Sequence, residues 1–243
     1  MSTAAASLGE GREVTMKFLL TSGGITNASI QAALVDLLGK PISECSALII
    51  PTGMHPFPGG GTGAWQAVSG ASPHPFVGLG WKEMALLELT ALPTVRRENW
   101  VPAVQQADAL LVWGGDVLYL CHWMRESGLA QLLPMLERTV YVGMSAGSIA
   151  VTPVNCDAEF DLAFVPDDSD MGQDAGTALG LVDVTLYPHL DNPEMPDTTA
   201  ANIEAWASGV PVPVYAIDDD TALRIVDGRV DVVSEGTWHL FGG

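Results

Sequence analysis

The sequence predicts an α/β protein, a three-layer sandwich in which helices cover a mostly parallel sheet. Short apolar runs of strand-forming residues alternate with helical stretches along most of the chain, as in sheets of parallel strands. The composition, 48% hydrophobic and 16% charged over 243 residues, supplies a sizeable core. Towards the C-terminus, two alternating runs flank an Asp227-Gly228 turn, which predicts a hairpin.

The first part of the chain contains four predicted strands and four predicted helices. Each strand is a short apolar run, such as KFLLT or ALII. The predicted strands are residues 17–21, 47–50, 85–89 and 109–113. The predicted helices are residues 27–38, 98–107, 117–126 and 129–137, with Gly128 separating the last two. The segment 51–63, rich in Gly and Pro, is expected to be an irregular loop.

The second part begins with a short strand, 140–142, that runs into a glycine-rich turn. Residues 156–180 form an acidic, glycine-rich excursion of low regularity. The remaining predicted elements are a strand at 184–187, a helix at 198–207, a strand at 214–217 and the hairpin at 222–241. We find neither an internal repeat nor an interdomain linker, and we therefore expect a single domain over 16–243. Residues 1–15 are expected to be a disordered leader, with Met16 as a candidate native start.

Charge and cysteine content exclude several classes of protein. The chain has 10 Lys and Arg residues and 29 Asp and Glu residues. The resulting formal net charge of −19 would repel a nucleic acid. No apolar run reaches the roughly 18 residues that a membrane helix requires, so no membrane partner is expected. Cys45, Cys121 and Cys156 are widely spaced, which suits a reducing, cytoplasmic compartment. The histidines lack metal-binding spacing, and neither a metal nor an organic cofactor is implied.

The strongest chemical signal is Gly143-Met144-Ser145-Ala146-Gly147, which lies between a predicted strand and a helix. Small residues around a serine in this setting are typical of a nucleophile elbow, a sharp turn that projects the hydroxyl from the sheet edge. The alternative is a plain turn in which Ser145 caps the helix.

A second glycine turn, Gly114-Gly115-Asp116, also follows a strand and precedes a helix. Its backbone N–H groups could act with that of Ala146 as an oxyanion hole. A phosphate-cradling turn and a plain tight turn are the alternatives, although a Walker A motif is excluded because no Lys-Ser/Thr follows.

A serine nucleophile needs a general base, and His189 has the most suitable position. It follows a predicted strand, at the sheet edge where parallel α/β proteins place their sites. The other histidines are in the Gly/Pro loop, in a helix or near the C-terminus: His55, His74, His122 and His239. Asp218-Asp219-Asp220 follows another strand and could supply an acid that orients the histidine, the alternative being a solvated acidic turn.

Four blocks, in this order and at this spacing, resemble peptidase family S51, which includes dipeptidase E and cyanophycinase. The blocks are residues 114–134, 141–147, 187–189 and 216–223. The resemblance implies a flavodoxin-like or class I glutamine amidotransferase-like fold and a Ser–His–acid triad. By position it implies Ser145 as nucleophile, His189 as base, Asp219 as the orienting acid, and Gly115 and Ala146 as oxyanion donors. Candidate substrate contacts are Gly114, Asp116 and Asp191.

The chain departs from dipeptidase E in its charges. Dipeptidase E carries arginines after its catalytic histidine, whereas no Lys or Arg lies between Arg138 and Arg224 here, among fifteen Asp and Glu. Asp116 also replaces an Asn. We therefore expect peptides with a neutral or basic residue near the scissile bond to be preferred over peptides with an N-terminal Asp. Four cations elsewhere could reverse this expectation by folding into the cleft: Lys82, Arg96, Arg97 and Arg125.

The leading hypothesis is a serine exopeptidase that acts on short peptides, as a monomer or homodimer. One alternative is a cyanophycinase-like isopeptidase. Another is an α/β-hydrolase-type esterase, in which His239 would act with Asp218 or Asp219 because the acid precedes the histidine in that fold. The third is a non-catalytic homologue that binds a small ligand in the same cleft.

Overall fold

The main sheet has seven strands in a computed structural model that describes residues 16–72, 76–166 and 169–242. Its strands are β1 (Lys17–Thr21), β2 (Ser46–Ile50), β3 (Glu83–Leu86), β4 (Ala109–Val112), β5 (Val140–Met144), β8 (Thr221–Val226) and β9 (Arg229–Ser234). Their order is β3-β2-β4-β5-β1-β8-β9. The first five are parallel, and β8 and β9 are antiparallel additions. The leader 1–15 and His74 lie outside the described residues.

A second sheet of three strands contains β6 (Thr185–Tyr187), β7 (Val214–Ile217) and β10 (Trp238–Phe241), in the order β10-β7-β6. β6 and β7 are parallel, and β10 is antiparallel to β7. The carboxyl ends of β6 and β7 therefore lie side by side at one edge of this small sheet.

Helices cover both faces of the main sheet. The described helices are α1 (Ala28–Leu38), α2 (Gly60–Ser69), α3 (Val101–Gln106), α4 (Val117–Glu126), α5 (Leu129–Leu132), α6 (Ala146–Ile149), α7 (Ala158–Asp161) and α8 (Ala200–Ala207). The last of them, α8, packs on the second sheet. Short 3₁₀ helices occupy Ile42–Glu44, Thr52–Met54, Val77–Leu79, Leu89–Thr94, Arg97–Asn99, Leu133–Met135 and Met171–Asp174. None of these helices combines the length and apolarity needed to cross a bilayer.

The central strands are apolar on both faces because each face meets a helical layer. In β1, Phe18 and Leu20 pack in a core with α3 to α6, while Leu19 packs in a second core with α1 and α2. This alternation follows from the two-residue period of a strand. The α/β sandwich predicted from the sequence is thereby confirmed.

Several predicted boundaries are wrong. The strand predicted at 85–89 is shifted to Glu83–Leu86, and the helix predicted at 129–137 ends at Leu132 in a 3₁₀ turn that contains Pro134. The segment 51–63 is not wholly irregular, since α2 begins at Gly60. A Cβ there would lie 2.1 Å from the carbonyl oxygen of Met54, so close packing requires this glycine.

The C-terminal tail is a hairpin only in part. β8 and β9 pair around Asp227-Gly228, and the positive φ of both turn residues, 50° and 73°, is that of a type I′ turn. The last predicted segment instead leaves the hairpin and joins β7 as β10.

Candidate active site

The carboxyl ends of the parallel strands bring the predicted site residues to one edge. Ser22 follows β1, Gly114 follows the end of β4, and Ser145 follows β5, which is the neighbour of both strands. His189 and Asp219 follow β6 and β7 of the second sheet. The cleft therefore lies between two sheets, each presenting its carboxyl edge.

Ser145 occupies a strained turn between β5 and α6. Its φ of 50° and ψ of −118° are rare for a residue with a side chain, and its N–H donates to the carbonyl oxygen of Thr21 at 3.0 Å. Glycines are required on both sides because an added Cβ would lie 2.7 Å from the Gly147 carbonyl oxygen at Gly143 and 2.2 Å from the Val112 carbonyl oxygen at Gly147. The Ser145 hydroxyl makes no capping hydrogen bond to α6, so the plain N-cap alternative is wrong.

The structure joins the three residues predicted as a triad. The Oγ atom of Ser145 lies 2.9 Å from Nε2 of His189, and Nδ1 of His189 lies 2.8 Å from Oδ1 of Asp219. The backbone of His189 is fixed by two further bonds: its N–H donates to Ser22 Oγ at 2.8 Å, and its carbonyl accepts from Thr198 Oγ1 at 2.5 Å. A proton on Nδ1 of His189 would face the carboxylate and leave Nε2 free to accept from the serine.

Asp219 is held as a carboxylate by three donors. The hydrogen bond from His189, together with those from Ser22 Oγ at 2.5 Å and Asn192 Nδ2 at 2.9 Å, lowers the pKa of Asp219 to about 2. Neither Ser22 nor Asn192 was singled out from the sequence. Ser22 lies directly after a strand of the parallel sheet, and this position could have identified it from the sequence. Asn192 has no such signal, because only the fold brings it to the carboxylate.

The two neighbouring aspartates make other contacts. Asp218 accepts from Thr221 Oγ1 at 2.7 Å and from the N–H of Thr237, which ties β10 to the start of β8. The backbone carbonyl of Asp220 accepts from Asn27. Among the three adjacent acids, Asp219 is the one in contact with the histidine.

The glycine turn after β4 packs directly against the serine. A Cβ added to Gly114 would lie 3.3 Å from Cβ of Ser145, and one added to Gly115 would lie 2.2 Å from the carbonyl oxygen of Gly53. Gly115 has a φ of 132°, which strongly favours glycine. Within the described residues, the N–H groups of Gly115 and Ala146 donate no backbone hydrogen bond. These two amides are thus available to a ligand at Ser145.

Two of the predicted substrate contacts lie elsewhere. Asp116 is fully buried, and its Oδ1 accepts from the N–H of Tyr119 at 2.7 Å as the N-cap of α4, because a helix start needs such an acceptor. Asp191 is exposed and lines a depression with Asp218 and Asp220, away from the serine. Gly114 does line the cleft.

A second buried acid, Asp161, also caps α4. Its Oδ2 accepts from the N–H groups of Val117 at 3.2 Å and Leu118 at 3.3 Å, while its Oδ1 has no partner among the described residues. Burial raises the pKa of Asp161 to about 7, with the nearby Asp116 adding to the rise, and burial raises the pKa of Asp116 to about 6. The two acids support the helix that follows the glycine turn.

The other described histidines are outside the cleft. His55 lies 3.1 Å from Glu88, His122 packs on the ring of Trp123, and His239 is exposed on β10. None of the three lines a cavity at Ser145. The esterase arrangement, with His239 as the base, therefore has no support in the structure.

Two cavities meet at Ser145, Gly115 and His189. The first, here called the apolar hollow, has a volume of about 420 Å³. Its other lining residues are Met54, Phe57, Asp157, Phe160, Tyr187, Pro188, Met195, Pro196, Asp197 and Thr198. The second, the polar hollow, has about 360 Å³ and includes Ser22, Gln66, Ser72, Asn192, Glu194 and Asp219 in its wall. Each has the size of a small-ligand pocket, roughly 300 Å³ or more.

The four basic residues that were considered as a source of positive charge for the cleft lie outside it. Arg96 lies 3.5 Å from Glu98, Arg97 stacks on Trp100, and Arg125 donates to the carbonyl oxygen of Ala178 at 2.9 Å. Lys82 is exposed, and among the described residues no Lys or Arg lines either hollow. In the same part of the chain, no group of three or more His, Cys, Asp or Glu is placed to hold a metal ion.

Comparisons with known proteins agree with one another. The sequence model of peptidase family S51 matches residues 18–233. Peptidase E of Shewanella putrefaciens (strain CN-32) is 29% identical over 148 residues, 58% of this chain and 60% of that relative. Peptidase E of Nostoc sp. (strain PCC 7120) is 26% identical over 145 residues, 57% of each chain. The chain thus spans about 60% of the length of the first of these curated relatives.

Two crystal structures share the fold. A protein of Listeria monocytogenes EGD-e with a provisional peptidase E designation has a TM-score of 0.66 at 17% identity, covering 91% of this chain and 99% of its own. A peptidase from an acI-B1 actinobacterium has a TM-score of 0.61 at 18% identity, covering 94% and 91%. At these identities the matches establish the architecture of the chain.

Proposed function

The chain belongs to peptidase family S51, and from this premise we propose that it is a serine-type peptidase that hydrolyses short peptides. The observation that carries the proposal is the continuous hydrogen-bonded path from the strained Ser145 through His189 to Asp219. A plain structural serine would not need this path, or the backbone strain that aims its hydroxyl at a histidine.

In the proposed mechanism, the Ser145 hydroxyl attacks the carbonyl carbon of the scissile bond while Nε2 of His189 takes its proton. Asp219 stabilises the resulting imidazolium through Nδ1. The N–H groups of Gly115 and Ala146 hold the oxyanion of the tetrahedral intermediate. The imidazolium then protonates the departing amine, and a water activated by the same histidine hydrolyses the acyl-enzyme and regenerates Ser145.

The dimensions and charge of the cleft favour short peptides that are not acidic at the N-terminus. The two hollows, of about 420 and 360 Å³, flank the serine and each suits about one residue of a peptide. An incoming aspartate side chain would meet carboxylates and, among the described wall residues, no Lys or Arg. We therefore propose neutral or basic residues beside the scissile bond. The widely separated free cysteines support a cytoplasmic location.

A fluorophosphonate probe and a dipeptide library, each applied to the wild type and to Ser145→Ala, test the proposal. We expect the probe to label the wild type at Ser145, and we expect hydrolysis of library members to disappear in the variant. Absence of both labelling and hydrolysis in the correctly folded wild type would contradict the proposal and favour a non-catalytic ligand-binding protein. Hydrolysis that persists in Ser145→Ala would place the nucleophile elsewhere.

A further inference from the structure

Asp157 lines the apolar hollow beside the serine and has no role in the mechanism above. Ser145, Gly115 and His189 line the same hollow, so a group bound there lies next to the reacting atoms. The rest of the wall is mostly apolar, with Phe57, Phe160 and Tyr187 among its members. Asp197 is the other acid of this wall, but it is exposed, whereas Asp157 is half-buried.

Among the described residues, none donates a hydrogen bond to the carboxylate of Asp157. The side chain of Asp157 is half-buried. Burial raises the pKa of Asp157, although the charge of His189 opposes the rise. By contrast, Asp219 has three donors. A desolvated carboxylate without donors gains more from an incoming cation than one that is already paired.

The position of Asp157 is fixed by its backbone. The N–H of Asp157 donates to Oδ1 of Asn155 at 2.9 Å. Asn155 is itself buried, and its Nδ2 donates to Asp161 at 2.9 Å and to the carbonyl oxygen of Ala175 at 3.0 Å. Because the backbone of Asp157 is held in place, only its short side chain has to be ordered when a ligand binds, which favours affinity.

We propose that Asp157 binds a cationic group of the peptide substrate, an ammonium or a guanidinium, in the apolar hollow and thereby determines specificity. The proposal rests on the proposed peptidase function. The group has two possible sources, a Lys or Arg side chain and the free α-amine of the peptide. The apolar wall suits the first through the methylene stem of such side chains, which packs on apolar surface while the charged end reaches an acid. An anionic side chain would find no Lys or Arg among the described residues of this wall.

The test compares the wild type with Asp157→Asn and with a matched control, Glu159→Gln. Both variants remove one negative charge, but Glu159 is exposed on α7 and does not line the hollow. Asp157→Glu, which keeps the charge, is the conservative variant. Melting temperatures establish that each variant is folded.

Substrates are paired so that one member of each pair carries a cationic group that the other lacks. Lys-Leu is compared with norleucyl-Leu, and Leu-Lys with Leu-norleucine, to test side chains on either side of the scissile bond. Free and N-acetylated Leu-Leu test the α-amine. Dissociation constants of the same peptides for proteins carrying Ser145→Ala give a readout that does not need turnover.

In the wild type, we expect the cationic member of at least one pair to have a kcat/KM roughly ten- to a hundredfold higher. Asp157→Asn should abolish most of that ratio while neutral peptides are still hydrolysed, Glu159→Gln should preserve it, and Asp157→Glu should retain part of it. The responding pair identifies the source of the cation. In proteins carrying Ser145→Ala, the dissociation constant should be lower for the cationic member of the responding pair, and Asp157→Asn should abolish most of that difference.

The inference is overturned if no pair shows a preference, or if Asp157→Asn and Glu159→Gln change the ratio equally. Failure of the peptidase proposal has a different signature, namely a folded wild type that hydrolyses no peptide and is not labelled at Ser145. In that case, selective binding of the cationic peptides that is lost in Asp157→Asn would still support the cation site.

Discussion

Replacing Asp219 by Asn removes the negative charge that faces the imidazolium in the proposed transition state. The Nδ1 and Oδ1 atoms are 2.8 Å apart. At that distance, opposite unit charges attract by about 6 kcal/mol at an effective dielectric of 20. The Asp219 side chain is 41% exposed, so water screens part of this interaction. A loss of about 4 kcal/mol corresponds to a fall in kcat of roughly 10³-fold.

The assay is steady-state hydrolysis of a dipeptide found in the library, at a fixed pH near 7. Asp220→Asn is the matched control because it makes the same substitution at the adjacent residue, whose carboxylate is not in contact with the histidine. We expect at most a twofold change in that control. The reasoning is refuted if the two variants lose similar activity, or if Asp219→Asn loses less than tenfold while remaining folded.

Three further predictions concern the two histidines, Ser22 and the buried Asp161. In the same assay, His189→Ala should lower kcat by roughly 10³-fold or more, whereas His239→Ala should change kcat by no more than about twofold. A larger loss of kcat in His239→Ala than in His189→Ala would favour the esterase arrangement. Ser22→Ala should lower kcat about tenfold without changing the melting temperature by more than a few degrees, because its hydroxyl contacts both His189 and Asp219; an unchanged kcat would assign Ser22 no positioning role. The free energy of unfolding should fall as pH rises from about 4 through about 7, because the folded pKa of Asp161, about 7, exceeds its unfolded value. Urea denaturation at a series of pH values should show a fall in the free energy of unfolding of at most about 4 kcal/mol. If Asp161→Asn leaves this pH dependence unchanged, the dependence arises from another group.

The sequence by itself determined the α/β class and the residues of the Ser145 turn. These features are local. The alternation of apolar runs indicates which segments are buried. The glycines flanking Ser145 indicate a turn whose backbone lies too close to its neighbours to leave room for a Cβ. The position of His189 directly after a predicted strand is likewise a local feature, and it could be predicted from the sequence. The charge asymmetry along the chain likewise predicted a cleft wall without basic residues, and the described residues agree.

The family resemblance implied Asp219, but the residue pattern alone left three adjacent aspartates open, and the tertiary structure shows which of them contacts His189. Neighbouring residues in an extended turn point in different directions, so one residue of register separates Asp219 from Asp218, which ties down β10 instead. The same holds for Asp116, which looked like a cleft residue beside the glycine turn but caps α4 inside the protein.

The division of the strands between two sheets was also beyond the sequence. The sequences of β6 and β7 resemble those of other buried strands. No local sequence pattern indicates that these strands form a second sheet with β10 rather than joining the main sheet. The second sheet carries His189, whose Nε2 lies 2.9 Å from Ser145 Oγ, and the segment before α7 carries Asp157, which lies in the wall of the same hollow. Strand partners are chosen by packing between segments far apart in sequence, which is why the composition of the cleft emerges only when the chain is folded.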